Sequence, residues 1–344
     1  MRVCEQDEHL SASAVIVAKA IPEAESEKIA TTMLNQPTAK LTVLTKTTLE
    51  RRARWVEEIQ QISGNFGDDT LRMNAALEKE LKTDGLATLL DHLRLCGAIP
   101  ESYGHDSSEE KLYSKYTDTL LAEAFKFIGL TSLVLTERAD SADVECSGEK
   151  GFCFVGDAKA FRLSRTAKNQ KDFKIQAMDG WKRGRPFAMV VCPIYQLPAR
   201  TSQIYQQASA RNVCIFTYSH LCLLLVYSKA TSAAKAQALL HDLFKTVQAL
   251  QPSKDATAYW LPLNRKMLEF SKEIADLWKT EKVAALESIQ VAKDEALTHL
   301  ATERTRISQM SREEAIKELI REHNIENRIA VINRVEDNGI MSLV

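Results

Sequence analysis

No run of apolar residues in this sequence is long enough to cross a bilayer: the longest, residues 221–227, falls far short of the roughly 20 required. The first residues lack a basic start followed by an apolar stretch, so no secretion signal is expected and the protein reads as soluble and cytoplasmic. Paired cysteines are missing too. The seven cysteines are an odd number, none are spaced as CxxC, and most sit inside apolar runs such as Val190-Val191-Cys192. That excludes a disulfide framework and a zinc site, and predicts reduced core thiols. Nor do the histidines, among them His92, His105, His220 and His241, show metal-ligand spacing such as HxxxH. A dominant charge is likewise absent: 46 acidic residues against 45 basic leave a net charge of −1. Any nucleic-acid role must therefore rest on a local patch and not on bulk charge. There is no internal repeat and no low-complexity tract.

What is present is 344 residues with 45% apolar composition, enough for one large core or two modest ones. Residues 1–46 give mixed signals and read as an accessory N-terminal segment. From about residue 48 to 96 the pattern is helical. Leu86, Leu89, Leu90 and Leu93 share a face, and Gly97 and Pro100 end the run. Ser107-x-x-Glu110 is a capping box opening a second helix, in which Leu112, Tyr116, Leu120, Ala124 and Ile128 recur every four residues until Gly129.

Beyond Gly129 the texture changes. Segments 132–135, 142–146, 152–161, 187–192 and 212–218 are rich in Val, Ile, Phe and Cys and predict strands. Phe173, Ala177 and Trp181 predict a crossover helix between the third and fourth. Residues 264–338 contain neither glycine nor proline and predict long helices. There Met267, Phe270, Ile274 and Leu277 follow a heptad seam that breaks at Glu281, which suits packing on the body or on a second copy. The expected organisation is α/β, a central mixed sheet between helical regions: 47–230 as helical lead-in plus core, 231–344 as a C-terminal helical region.

Asp143 falls in the second proposed strand and Asp157-Ala158-Lys159 in the third, with a short turn at 147–151 between them. Side chains alternate along a strand, so Asp157 and Lys159 share a face while Ala158 turns inward. If Asp143 faces them, two carboxylates and an ammonium converge. With the backbone carbonyl of Ala158 they would offer Mg²⁺ a hard oxygen site, Mn²⁺ being the natural substitute. Such a site suits phosphodiester hydrolysis, with the lysine orienting or deprotonating water. Glu110 is a candidate additional acid.

The next residues are strongly basic: nine basic side chains against three acidic between Asp157 and Arg185. Lys159, Arg162, Arg165, Lys168, Lys171 and Lys174 recur at every third position, interspersed with Ser164, Asn169 and Gln170. Lysines suit phosphates, while arginine reads guanine and Asn or Gln reads adenine in the major groove. Arg162, Ser164, Arg165, Lys168, Asn169, Gln170, Lys171 and Lys174 are therefore the candidate contacts to double-stranded DNA.

The stretch Asp157-Ala-Lys-Ala-Phe-Arg-Leu-Ser-Arg-Thr-Ala-Lys-Asn-Gln-Lys-Asp-Phe-Lys174 resembles, almost letter for letter, the HindIII family of type II restriction endonucleases. Glu110-Lys-Leu-Tyr-Ser-Lys115, Leu121-Ala-Glu-Ala-Phe125, Ala142-Asp143-Val144, Thr201-Ser-Gln-Ile204 and Ser311-Arg-Glu-Glu-Ala-Ile316 extend the likeness. It covers about residues 85–228 well and the C-terminal helices patchily, and says nothing of residues 1–46. The resemblance implies a PD-(D/E)xK nuclease fold, Mg²⁺, a homodimer, and staggered cutting of the palindrome AAGCTT to leave 5′ overhangs. By position it makes Asp143 and Asp157 metal ligands and Lys159 the water-orienting lysine. A cognate methyltransferase is then expected in the host. One departure stands out: Ala142 replaces the proline that leads the signature. Two other readings of the same residues are a structure-specific repair or recombination nuclease, and a non-enzymatic DNA-binding protein.

Overall fold

The computed structural model describes residues 41–135, 141–165 and 170–334. The helical lead-in is two helices, not one. Thr45 caps α1 (Lys46–Gln60) with a reciprocal bond to Thr48, and Asn65 caps α2 (Phe66–Leu95). Between them Gly64 takes φ +92°, and within α2 Gly85 takes φ 67°, ψ −142°, kinking the helix. Only glycine reaches such angles without strain, which is why the expected continuous run over 48–96 breaks at both.

The capping Ser107 opens α3 (Ser108–Phe127) by accepting from the Glu110 amide. The Glu110 carboxylate does not close the box onto Ser107; it accepts from the Asp106 amide at 2.7 Å. Five strands follow: β1 (Thr131–Val134), β2 (Val144–Ser147), β3 (Cys153–Ala158), β4 (Phe187–Cys192) and β5 (Val213–Thr217). They lie side by side in chain order. β1, β2 and β3 pair antiparallel, and β3, β4 and β5 pair parallel. The expected mixed α/β sheet is thus present. Every residue of β4 and β5 is buried, as strands covered on both faces must be.

Two short helices, α4 (Gln170–Phe173) and α5 (Ile175–Trp181), replace the single expected crossover helix. Lys174, at φ 47°, divides them. α6 (Gln203–Ala210) crosses from β4 to β5. The chain continues through α7 (Tyr218–Ala230), α8 (Ala233–Ala249), α9 (Ala256–Phe270), α10 (Lys272–Ser308), α11 (Arg312–Glu322) and α12 (Ile325–Asn333). The six described cysteines are all free, five of them buried; Cys4 lies outside the described residues. None of the described helices is long and apolar enough to cross a membrane.

The heptad seam needs correcting. Met267 and Phe270 belong to α9, Ile274 and Leu277 to α10, so no single helix carries it. Glu281 does not end the burial either. It is 1% exposed and pairs with Arg94 of α2, its carboxylate accepting from Arg94 Nε at 3.2 Å. Arg52 of α1 makes a similar tie, donating to Glu295 on α10 at 3.1 and 3.0 Å and to the Ala98 carbonyl at 2.8 Å. The amides of Thr42, Val43 and Leu44 donate to Glu287, fastening the chain just before α1 onto α10. Of the accessory segment expected over 1–46, residues 1–40 lie outside the described residues.

Candidate active site

The β2–β3 hairpin sets the geometry. Its register places Val144 opposite Gly156, Glu145 opposite Val155 and Cys146 opposite Phe154. Carried one residue further, the same register sets Asp143 against Asp157. Asp143 therefore precedes β2 and Lys159 follows β3, each by one residue, instead of lying inside the strands as expected. Their backbones still extend the ladder: the Asp143 carbonyl accepts from Leu135 N, and Lys159 N donates to Val191 O, both at 2.8 Å. Opposed residues of an antiparallel pair bring their Cβ atoms within roughly 5 Å. Lys159, two residues along from Asp157 on the same face, forms an ion pair with it. Ala158 is buried between them.

The backbone beyond Lys159 is pinned. The Tyr218 hydroxyl donates to the Lys159 carbonyl at 3.1 Å. The Tyr195 hydroxyl donates to the carbonyls of Phe161 and Gly97 at 2.9 and 2.7 Å. The ammonium is thus presented from a rigid strand end.

A third carboxyl joins from α3, and the sequence reading missed it. Asp118 is only 2% exposed and shares a helix face with Leu121 and Phe125. Gly156 explains how that face comes so close to β3. A Cβ built on it would sit 3.3 Å from Leu121 Cδ2 and 3.8 Å from Val144 Cβ, so a bare backbone lets helix and strand meet. Lys115, one turn before Asp118, donates to it at 3.0 Å.

The electrostatics show that these groups form one cluster. Burial pushes Asp143 up, and the negative charge of Asp157 pushes it further, to about 9. Burial opposes ionisation of Asp157 as well, but the adjacent Lys159 ammonium holds it below the usual carboxylate value. Burial lifts Asp118 to about 7, against the pull of Lys115 and with the repulsion of Asp157. Desolvation disfavours the Lys159 ammonium, yet Asp157 and Asp143 keep its pKa raised. Three acids and two amines therefore share one low-dielectric site, with Asp143 keeping its proton at neutral pH.

The other predicted site residues are placed differently. Glu110 sits 3.3 Å from Arg162. Eight residues of helix, about 12 Å at 1.5 Å per residue, separate it from Asp118 along the axis. With the exposed His105 and Asp106, the half-buried Glu110 forms a cluster whose ligand atoms lie within 4.8 Å of one another. Arg162 also donates to the carbonyls of Tyr103 and Gly104 at 2.9 and 2.7 Å, which fastens it to the loop before α3. Ser164 binds Glu101 through its amide and hydroxyl at 2.9 and 2.8 Å. Arg165 pairs with Asp172 and lies 5.2 Å above the Phe161 ring. Lys174 is exposed, its ammonium 5.5 Å over Trp181. Lys168 and Asn169 lie outside the described residues; Gln170 and Lys171 start α4.

Sheet and site together define a class: an α/β protein that gathers three carboxyls and two ammoniums at one point, next to a basic segment. The chain belongs to the HindIII restriction endonuclease family, which it matches over residues 53–336. It is also 32% identical over 253 residues to the type II restriction enzyme HindIII of Haemophilus influenzae, an alignment covering 71% of this chain and 82% of that protein.

Proposed function

We infer that the protein is a type II site-specific DNA endonuclease of the PD-(D/E)xK kind, hydrolysing double-stranded DNA with Mg²⁺, or Mn²⁺ in its place. The convergence of Asp143, Asp157 and Lys159 carries the reading. A divalent cation fits the residues present: the donors are hard oxygens, and Asp143 stays protonated beside Asp157, so the pair is short of positive charge. Asp143, Asp157 and the Ala158 carbonyl would hold the ion, with Asp118 as the third acid in place of Glu110. Bound there, Mg²⁺ supplies charge to offset the phosphate and makes a water molecule more acidic.

The side chains do the rest. Lys159, kept charged by Asp157, orients the attacking water and offsets negative charge growing on the phosphate. Water adds to phosphorus, the bridging P–O bond breaks, and the departing oxygen leaves with a proton. Arg165, Lys168, Asn169, Gln170, Lys171 and Lys174 follow closely in sequence, and we assign them the DNA backbone and base edges, whereas Arg162, held by two carbonyls and Glu110, and Ser164, held by Glu101, anchor the segment that carries them. The family resemblance supports AAGCTT as target, 5′ overhangs, and a homodimer, since a twofold-symmetric target cut once per strand calls for two identical centres.

Plasmid incubated with Mg²⁺ should give discrete bands. Asp157→Ala and Lys159→Ala should each lose cutting by at least about a hundredfold while retaining DNA binding. Unchanged cleavage by either variant refutes the site. Branched-substrate cleavage would point to a repair nuclease, and a gel shift with intact DNA to a non-enzymatic binder.

A further inference from the structure

The geometry points to Lys115 as an exchangeable counter-ion: it neutralises Asp118 until a divalent cation arrives, and is then released to bind a DNA phosphate. The inference rests on reading the acids as a cation site, and adds a role for a residue outside the Asp143, Asp157 and Lys159 trio.

The two amines of the site are held very differently. Lys159 is 13% exposed at its side chain, and its backbone is bonded to both Val191 and Tyr218 at the end of a strand. Its enclosed side chain is paired with Asp157 and has little solvent to move into. Lys115 is 35% exposed and reaches the site from a helix surface through four flexible methylenes. Among the described residues its one hydrogen-bonded acid is Asp118, at 3.0 Å. Asp118 itself is sealed at 2% exposure, so the Lys115 ammonium sits between a buried acid and solvent.

Charge balance makes that arrangement switchable. Lys115 is drawn to Asp118, which it touches, and more weakly to the ionised Asp157, so it shares its attraction with acids a divalent ion would occupy. A cation of charge two entering among them competes with the ammonium for the same oxygens and repels it. The stem of Lys115 lets it move outward, where the cutting reaction brings a phosphodiester. The enzyme would then gain a phosphate contact only once its cation is in place, so productive DNA binding and cation loading favour each other.

The sign of one substitution separates this from simpler roles. Calorimetric titration with Mn²⁺ alone, without DNA, should show Lys115→Gln binding the ion more tightly than wild type, by about tenfold, because the competing charge is gone. Binding to a mixed-sequence duplex, measured across salt concentrations, gives the second readout. With Ca²⁺ present the slope of log K against log salt should be shallower for Lys115→Gln by about 0.9, one phosphate contact; in EDTA the slopes of variant and wild type should coincide. Lys115→Met, carried in parallel with thermal melts, guards against a folding artefact.

Equal or weaker Mn²⁺ affinity in both neutral variants overturns the exchange. So does a slope difference that is the same with and without Ca²⁺, which would make Lys115 a fixed phosphate contact. Should wild type and Asp157→Asn both fail to take up Mn²⁺, the cation site itself is wrong; should wild type bind and the Lys115 variants match it, only this inference fails.

Discussion

Replacing Asp143 by Asn should make the cation-free protein more stable, and increasingly so as pH rises. Burial and the charge of Asp157 push the Asp143 carboxyl up to about 9 in the folded protein, far above an unfolded carboxyl. Between those limits the folded state holds a proton that the unfolded chain has given up, so stability is greatest at the acid end and drains away as pH climbs through the window. The slope for one such proton is about 1.4 kcal/mol per pH unit. Asn mimics the protonated acid and does not titrate, so the difference between variant and wild type should widen by about 2.7 kcal/mol from pH 6 to pH 8. Asp118 shifts the same way, but it is common to both proteins and cancels to first order. Asp157, held low, acts in the opposite sense and only at acid pH, where its contribution is lost as pH falls. Urea unfolding in EDTA at half-unit pH steps is the assay. Parallel stability profiles for the two proteins would refute the raised pKa of Asp143.

Three further perturbations test the frame around the site. Gly156→Val should cost roughly 1–3 kcal/mol and reduce cleavage more than it reduces DNA binding, because the new methyls push on Leu121 and lift Asp118 away; a fully active, fully stable variant would show that helix and strand do not touch there. Glu281→Ala should cost roughly 3–5 kcal/mol in urea unfolding by stranding Arg94, and a loss under about 1 kcal/mol would mean the pair is solvated. Arg165→Ala should weaken binding to the cognate duplex by roughly 1–3 kcal/mol if it reads a base, and weaken all sequences equally if it meets only phosphate.

The central trio was legible because hairpin spacing is local information. Asp143 just before β2 and Asp157 on β3 flank one hairpin with a short turn, and period-two alternation puts Lys159 with Asp157. Asp118 was not, because its partner strand is distant in sequence and a helical acid is ordinarily a solvated one. A signal existed: Asp118 occupies the same face as Leu121 and Phe125, where a charge is costly unless it has work or a partner. Glu281 misled for the same reason. It reads as the end of an apolar seam, whereas the partner that lets it stay buried, Arg94, is 187 residues away. The lead-in helix over 48–96 was over-extended because apolar periodicity runs on across Gly64 and Gly85, and only backbone angles reveal the breaks. Arg162 shows the limit of reading a charge run. Its every-third spacing suggested a surface row, yet its guanidinium is turned inward against two carbonyls and Glu110.

The last buried residue of the described chain is Ala292, midway along α10. Past it the helix runs a further 16 residues to Ser308, about 24 Å at 1.5 Å per residue, and no side chain of α11 or α12 is buried. That stretch contributes reach without contributing to the core. A probe, tether or protease cut placed beyond residue 300 should leave the folding of the single chain and its acid cluster untouched.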